Sequence, residues 1–184
     1  MAMIYLMRHG QTDWNACYKI QGRTDVPLNA AGRQMAREAR EKYAALHFDI
    51  CYASPLCRAL ETAEIFLEGR GVPIYTDARL KEMSFGICEG SEHVFEHPES
   101  PLYPLFKDPV HYRAVEGAES FDDLFARAGD FLDHVAIPAM QEGKDVLIVA
   151  HGAVNTAMIC RTEGTELARF WDNLCGNCEL RRLL

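Results

Sequence analysis

The sequence predicts an α/β fold on a mainly parallel sheet, and three observations point to it. Two short runs, Met3–Met7 (MIYLM) and Val146–Ala150 (VLIVA), are apolar throughout. Such runs suit parallel strands covered on both faces. Segments with helical spacing lie between the strand candidates, as a strand–helix alternation requires. Both runs end in the same dipeptide, His9-Gly10 and His151-Gly152. Ligands of such sheets bind beyond the carboxyl ends of the strands, so the two histidines are expected to meet there.

The other elements follow in order. Phe48–Tyr52, Pro73–Tyr75 and a weaker run near Cys178–Leu184 are further strand candidates. Asn29 is a helix N-cap, followed by Met35, Ala36, Ala39, Tyr43 and Leu46 at helical spacing. PLCRALETAEIFL places Pro55 in a first helical turn, with Leu56, Leu60, Ala63 and Leu67 along one side. Ser120 and Asp123 resemble a capping box, ahead of an apolar stripe running from Phe121 to Val135. A last helix runs from Gly152 to Arg161. The stretch at about 91–118 has no clean period and holds Pro98, Pro101, Pro104 and Pro109 among Phe95, Tyr103, Phe106 and Tyr112. A segment of this kind in a compact domain is expected to be an irregular lid, the plainer alternative being a surface insertion with short helices.

The 184 residues are read as a single domain spanning 1–184, and 48% apolar with 25% charged residues suits a sizeable core. Lys and Arg number 19 against 27 Asp and Glu, a net charge of −8. That balance argues against nucleic-acid or anionic-membrane partners, so an anionic ligand has to be captured by a local cluster of positive charge. No signal peptide or membrane-spanning run is visible, and seven scattered cysteines fit free thiols in a reducing cytoplasm.

The residues at the two strand ends describe an anion site. Arg8 offers a planar, permanently charged donor fork, and Arg58 opens a helix after another strand. Gly10 and Gly152 permit close backbone approach, and the helix after Gly152 is expected to aim its first N–H groups at an anion. Asn15 adds a neutral donor. A histidine among arginines is held neutral, and neutral imidazole is a nucleophile. Glu82, in LKEMSFGICEG, is expected to keep its proton by partial burial and act as general acid, with Glu89 in reserve.

Taken together, these blocks resemble the histidine phosphatase superfamily, also called the phosphoglycerate mutase-like family. The likeness rests on RHGQT with Asn15, QGRTDVPLNAAG (Gln21–Gly32), SPLCRALETA (Ser54–Ala63), LKEMSFGICEG (Leu80–Gly90), EGAES (Glu116–Ser120) and AHGAV, in the family's order across nearly the whole chain. The resemblance implies a three-layer α/β/α fold, with no metal and no organic cofactor. It makes His9 the phosphorylated nucleophile and Glu82 the proton donor, and places Arg8, Arg58 and His151 around the phosphate; Asn15 and Gly152 join them as phosphate-binding candidates from the reading above, and His151 is also counted as catalytic. Gln21, Gly22, Lys107 and Arg113 are the candidates for substrate recognition. The expected activity is metal-independent hydrolysis of a small phosphorylated metabolite in the cytoplasm. A phosphoglycerate-type mutase is the alternative, and a non-catalytic phosphate-ligand binder a third reading. The motifs depart from the commoner pattern at Asn29, Cys88, Ala153 and EGAES, which bears on lid and substrate more than on phosphate chemistry.

Two other signals carry less. Cys175 and Cys178 have CxxC spacing but precede a strand instead of opening a helix, so they read as unlinked thiols. His93 and His97 stand four apart in a Glu-rich, Pro-bounded stretch and read as solvated surface or lid.

Overall fold

The computed structural model describes residues 1–184. All five expected strands form: β1 (Ile4–Arg8), β2 (Ile50–Ala53), β3 (Ile74–Thr76), β4 (Val146–Ala150) and β5 (Leu180–Arg182). Their order in the sheet is β3-β2-β4-β1-β5; the first four are parallel, and β5 runs antiparallel to β1. The two apolar runs are central neighbours, and every residue of β4 is buried.

Alternation along the strands sorts the core into two layers. Ile4, Leu6, Val146 and Ile148 point to one face, against α5 (Phe121–Phe131) and α7 (Gly152–Glu163). Met7, Leu147 and Val149 point to the other, against α2 (Ala30–Lys42) and α3 (Cys57–Leu67). The result is the three-layer α/β/α arrangement.

The helix signals were good at the starts. Asn29 accepts the Gly32 N–H at 2.8 Å and begins α2, a cap worth about 1 kcal/mol. Ser120 accepts the Asp123 N–H at 3.1 Å, but Asp123 is too short to close the box and instead takes the Ser120 hydroxyl at 2.7 Å. Two boundaries differ from expectation. Pro55 lies ahead of α3, whose N-cap is Leu56. The stripe to Val135 is not one helix: a π turn at Leu132–Ala136 separates α5 from α6 (Ile137–Gln141). A short helix, α1 (Asp13–Ala16), had no periodic signal; Thr12 and Asn15 cap it reciprocally. The 91–118 stretch contains α4 (Tyr103–Lys107) and one 3-10 turn. No helix is long and apolar enough to cross a membrane.

Register fixes the site. Arg8 pairs with Ala150, and the His9 N–H donates to the Ala150 carbonyl at 3.0 Å. The next residues of both strands, His9 and His151, therefore leave the sheet side by side. β2 delivers Ser54 to the same end, its N–H on the Val149 carbonyl at 3.0 Å.

Candidate active site

The His9 and His151 ring centroids are 5.1 Å apart. His9 Nδ1 lies 2.7 Å from the Gly10 carbonyl oxygen. A carbonyl only accepts, so Nδ1 carries the proton and Nε2 keeps its lone pair. Burial holds the His9 pKa well below the usual imidazole value, and the Arg58 and Arg8 charges push it the same way. The ring is therefore neutral, with an unprotonated Nε2, the state in which an imidazole can act as a nucleophile. His151 is fully buried, and its pKa is also held well down by burial and by the charges around it. Its Nε2 is 2.7 Å from the Ser54 hydroxyl. That hydroxyl already accepts the Leu56 N–H at 3.3 Å. It can give its own proton to Nε2, which leaves the ring proton on Nδ1.

The two arginines are fixed by main chain. Arg58, completely buried, donates to the Gly22 and Thr24 carbonyls at 2.7 and 2.9 Å. Arg8 donates to the Cys175 carbonyl at 3.0 Å. Three buried nitrogens of this cluster, Arg8 Nε, Arg58 Nε and His151 Nδ1, have no hydrogen-bond partner in the protein. Buried polar groups are ordinarily satisfied, so the group forms a donor set for an anion's oxygens. Asn15 belongs to it as well. Its Oδ1 accepts the Thr12 N–H at 3.1 Å, leaving the amide NH2 as donor.

Glu82 lines the same cavity as His9, Arg8 and Arg58, but its setting differs from expectation. Its carboxyl is not isolated in an apolar pocket. It accepts the Met83 N–H at 2.9 Å, the Ala153 N–H at 3.1 and 3.2 Å, and the Val154 N–H at 3.3 Å. The first N–H groups of α7 thus meet Glu82, not a free anion, because the acid loop packs directly over that helix start. Oε2 shares only the Ala153 bond, which leaves it room to carry a proton.

Glu89, the reserve acid, does other work. It accepts the Arg23 and Thr24 N–H groups at 2.9 Å each and the Thr24 hydroxyl at 2.5 Å. This bracing shapes the 21–24 loop whose carbonyls hold Arg58. Gly22 has a φ of +56°, and a Cβ there would sit 2.1 Å from Glu89 Oε1. Its expected part in substrate recognition is thus better described as holding Arg58, although it also lines the cavity. Gly10 serves packing and not anion approach: a Cβ would stand 2.5 Å from the Gly32 carbonyl, and its N–H goes to Thr62.

A cavity of about 120 Å³ over His9 opens into a cleft of about 540 Å³. Tyr18, Ile20, Val94, Phe95, Phe106, Trp171 and Leu174 line the cleft, with Lys19 and Lys107. Gln21 lines the inner cavity, its Oε1 accepting the Thr12 hydroxyl at 3.0 Å. Of the two basic residues expected at the substrate, Lys107 lines the cleft and Arg113 does not. Arg113 donates to the Tyr112 carbonyl and lines a separate surface hollow with Phe121 and Asp122. Charge alone could not tell which side of the insertion it faced. Tyr112 also turns inward, edge-on to Phe121. Sequence reasoning missed Trp171 and Leu174, which lie in an aperiodic stretch outside every phosphate motif. It also missed Asn177, whose side chain donates to the His9 carbonyl at 2.7 Å.

The cysteines are free, and burial pushes the Cys178 thiol up to about 12. His93 and His97 pair with Glu96 and Glu99. No group of three His, Cys, Asp or Glu side chains gathers where it could hold a metal ion.

Comparison with known proteins agrees with this geometry. The histidine phosphatase superfamily (branch 1) matches residues 4–184. The phosphatase PhoE of Bacillus subtilis (strain 168) is 38% identical over 169 residues, 89% of this chain and 79% of that one. The probable phosphoglycerate mutase GpmB of Escherichia coli O1:K1 / APEC is 34% identical over 154 residues, 83% of this chain and 70% of that one. Among solved structures, Bacillus stearothermophilus YhfR superposes with a TM-score of 0.89 at 33% identity, covering 99% of this chain and 90% of that one. The chain belongs to the histidine phosphatase superfamily.

Proposed function

We propose that this chain hydrolyses phosphomonoesters in two steps at His9, with an apolar or aromatic leaving group seated in the adjoining cleft. The observation that carries the chemistry is the set of three unpartnered buried donors around a histidine whose Nε2 is free. Nε2 attacks phosphorus, and the P–O bond to the leaving group breaks. Glu82 gives its proton to that oxygen. Water then attacks the phosphohistidine with Glu82 as base, the N–P bond breaks, and inorganic phosphate leaves. Arg8, Arg58, Asn15 and His151 bind the equatorial oxygens, which is most of what phosphoryl transfer asks of a protein.

The cleft favours hydrolysis over a mutase reaction. A mutase has to grip a carboxylate and a second phosphate while the phosphohistidine waits. Of the two lysines here, Lys19 is paired with Glu92 at 3.2 Å, and the other walls are largely aromatic or aliphatic. A cavity of this size and lining suits a flat or apolar group.

The test is hydrolysis of naphthyl phosphate, phosphoserine and 3-phosphoglycerate in EDTA, without a bisphosphoglycerate primer. The expected result is phosphate release that persists under chelation, is fastest on naphthyl phosphate, and falls at least about a thousandfold in His9→Ala. Dependence on primer would establish the mutase reading. Activity retained in His9→Ala would remove the nucleophile assignment.

A further inference from the structure

Behind the acid loop lies a buried ion pair that lines neither the phosphate cavity nor the cleft. Arg127, on α5, makes four hydrogen bonds with one guanidinium. Its Nε and Nη2 bind the two oxygens of Glu119 at 2.6 and 2.9 Å. Its Nη1 donates to the Arg79 carbonyl and, at 2.7 Å, to the Lys81 carbonyl. Only 15% of the Arg127 side chain and 8% of the Glu119 side chain are exposed. Glu119 reaches the loop from the other end, its N–H on the Ser84 carbonyl at 2.9 Å. It also accepts Arg23 Nη2 at 3.3 Å, which ties the pair to the loop that holds Arg58.

Glu82 therefore sits between two anchored carbonyls, Lys81 before it and Ser84 beyond it. A buried ion pair is weak evidence for stability, since well-packed apolar residues often do as well. What apolar residues cannot supply is the direction of a planar fork aimed at main-chain oxygens. Here one arm of the fork is spent on the Arg79 and Lys81 carbonyls just ahead of the acid, and the other holds Glu119, whose N–H binds the Ser84 carbonyl beyond it.

We propose that Arg127, held in place by Glu119, is the positioning residue for Glu82, fixing the loop so that the carboxyl reaches the leaving oxygen. This rests on the reading of Glu82 as the general acid. Its consequence is selective. A nitrophenolate departs with little protonic help, whereas an alkoxide needs the proton as the P–O bond breaks. Misplacing Glu82 should therefore penalise alkyl phosphates most, while inorganic phosphate still binds through Arg8, Arg58 and His151.

The experiment measures kcat/KM for nitrophenyl, phenyl and alkyl phosphates with wild type, Arg127→Lys, Glu119→Gln and Glu82→Gln. Competitive inhibition by inorganic phosphate is measured alongside. The expected result is a steeper dependence on leaving group in all three variants. In Arg127→Lys, alkyl phosphates should lose roughly ten- to a hundredfold more than nitrophenyl phosphate, with phosphate inhibition retained. If Arg127→Lys does not fold, Glu119→Gln carries the same test. Uniform loss across the series, or none, in the Arg127 and Glu119 variants while Glu82→Gln steepens it would overturn the positioning role alone. A Glu82→Gln variant that fails to steepen the series would remove the acid assignment and the positioning role with it.

Discussion

Around His9, polar atoms are fixed by main chain: the ring by Gly10, Arg58 by Gly22 and Thr24, Arg8 by Cys175, Glu82 by Ala153 and Val154. In the adjoining cleft the walls are rings packed on rings. Phe106 stacks on Trp171 at 5.0 Å, and Phe95 meets Phe106 edge-on at 5.9 Å. One hydrogen bond steadies them, from Trp171 Nε1 to the Leu105 carbonyl at 2.6 Å. Directional bonds to main-chain atoms of loops and of one helix start hold these groups in fixed directions, which phosphoryl transfer needs. Aromatic walls select by shape and apolarity, and a lost ring there removes affinity without touching the chemistry.

The two regions should separate under mutation. Arg58→Ala is the most damaging change apart from loss of His9. It removes a transition-state donor and strands the Gly22 and Thr24 carbonyls in the interior, so kcat/KM should fall roughly a hundred- to a thousandfold with a lower melting temperature. Equal activity in that variant would mean that the phosphate does not reach Arg58. Trp171→Ala should instead raise KM for naphthyl phosphate roughly tenfold with kcat little changed, and leave inhibition by inorganic phosphate alone. A fall in kcat with constant KM would show that the cleft takes part in the chemical step.

Proton linkage gives the smallest effect. His9 and His151 both have folded-state pKa values held below the unfolded value. The unfolded chain then binds more protons once the pH drops below about 6.5, so stability is complete above that pH and is lost as the pH falls. Between pH 7 and 6 the pair should cost about 1.4 kcal/mol, measured by denaturant unfolding in a phosphate-free buffer. His9→Asn should remove about half of that slope. An unchanged slope would place the titration elsewhere.

Much of the phosphate region was legible because it stands at element ends. Apolar runs mark β1 and β4, and the residues that follow, Arg8, His9 and His151, are placed by register alone. Arg58 was legible for the same reason, one residue into α3. Long-range pairings were not. Nothing local says that Glu82 lands on the start of α7, or that Glu89 braces the 21–24 loop. The cleft was harder still. Its walls come from the α1–α2 connection, the 91–118 insertion and a 3-10 stretch at Leu167–Asn173, none with a period that tells inside from outside. Hence the sequence offered Lys107 and Arg113 alike, and only Lys107 lines the cleft.

The central claim is that His9 Nε2 takes the phosphoryl group. The most direct measurement is rapid alkaline quench during turnover of naphthyl phosphate, followed by mass spectrometry of the peptide containing His9. The account predicts phosphate on His9 through Nε2 in wild type and none in His9→Ala. A turning-over wild-type enzyme with the label on another residue would contradict it.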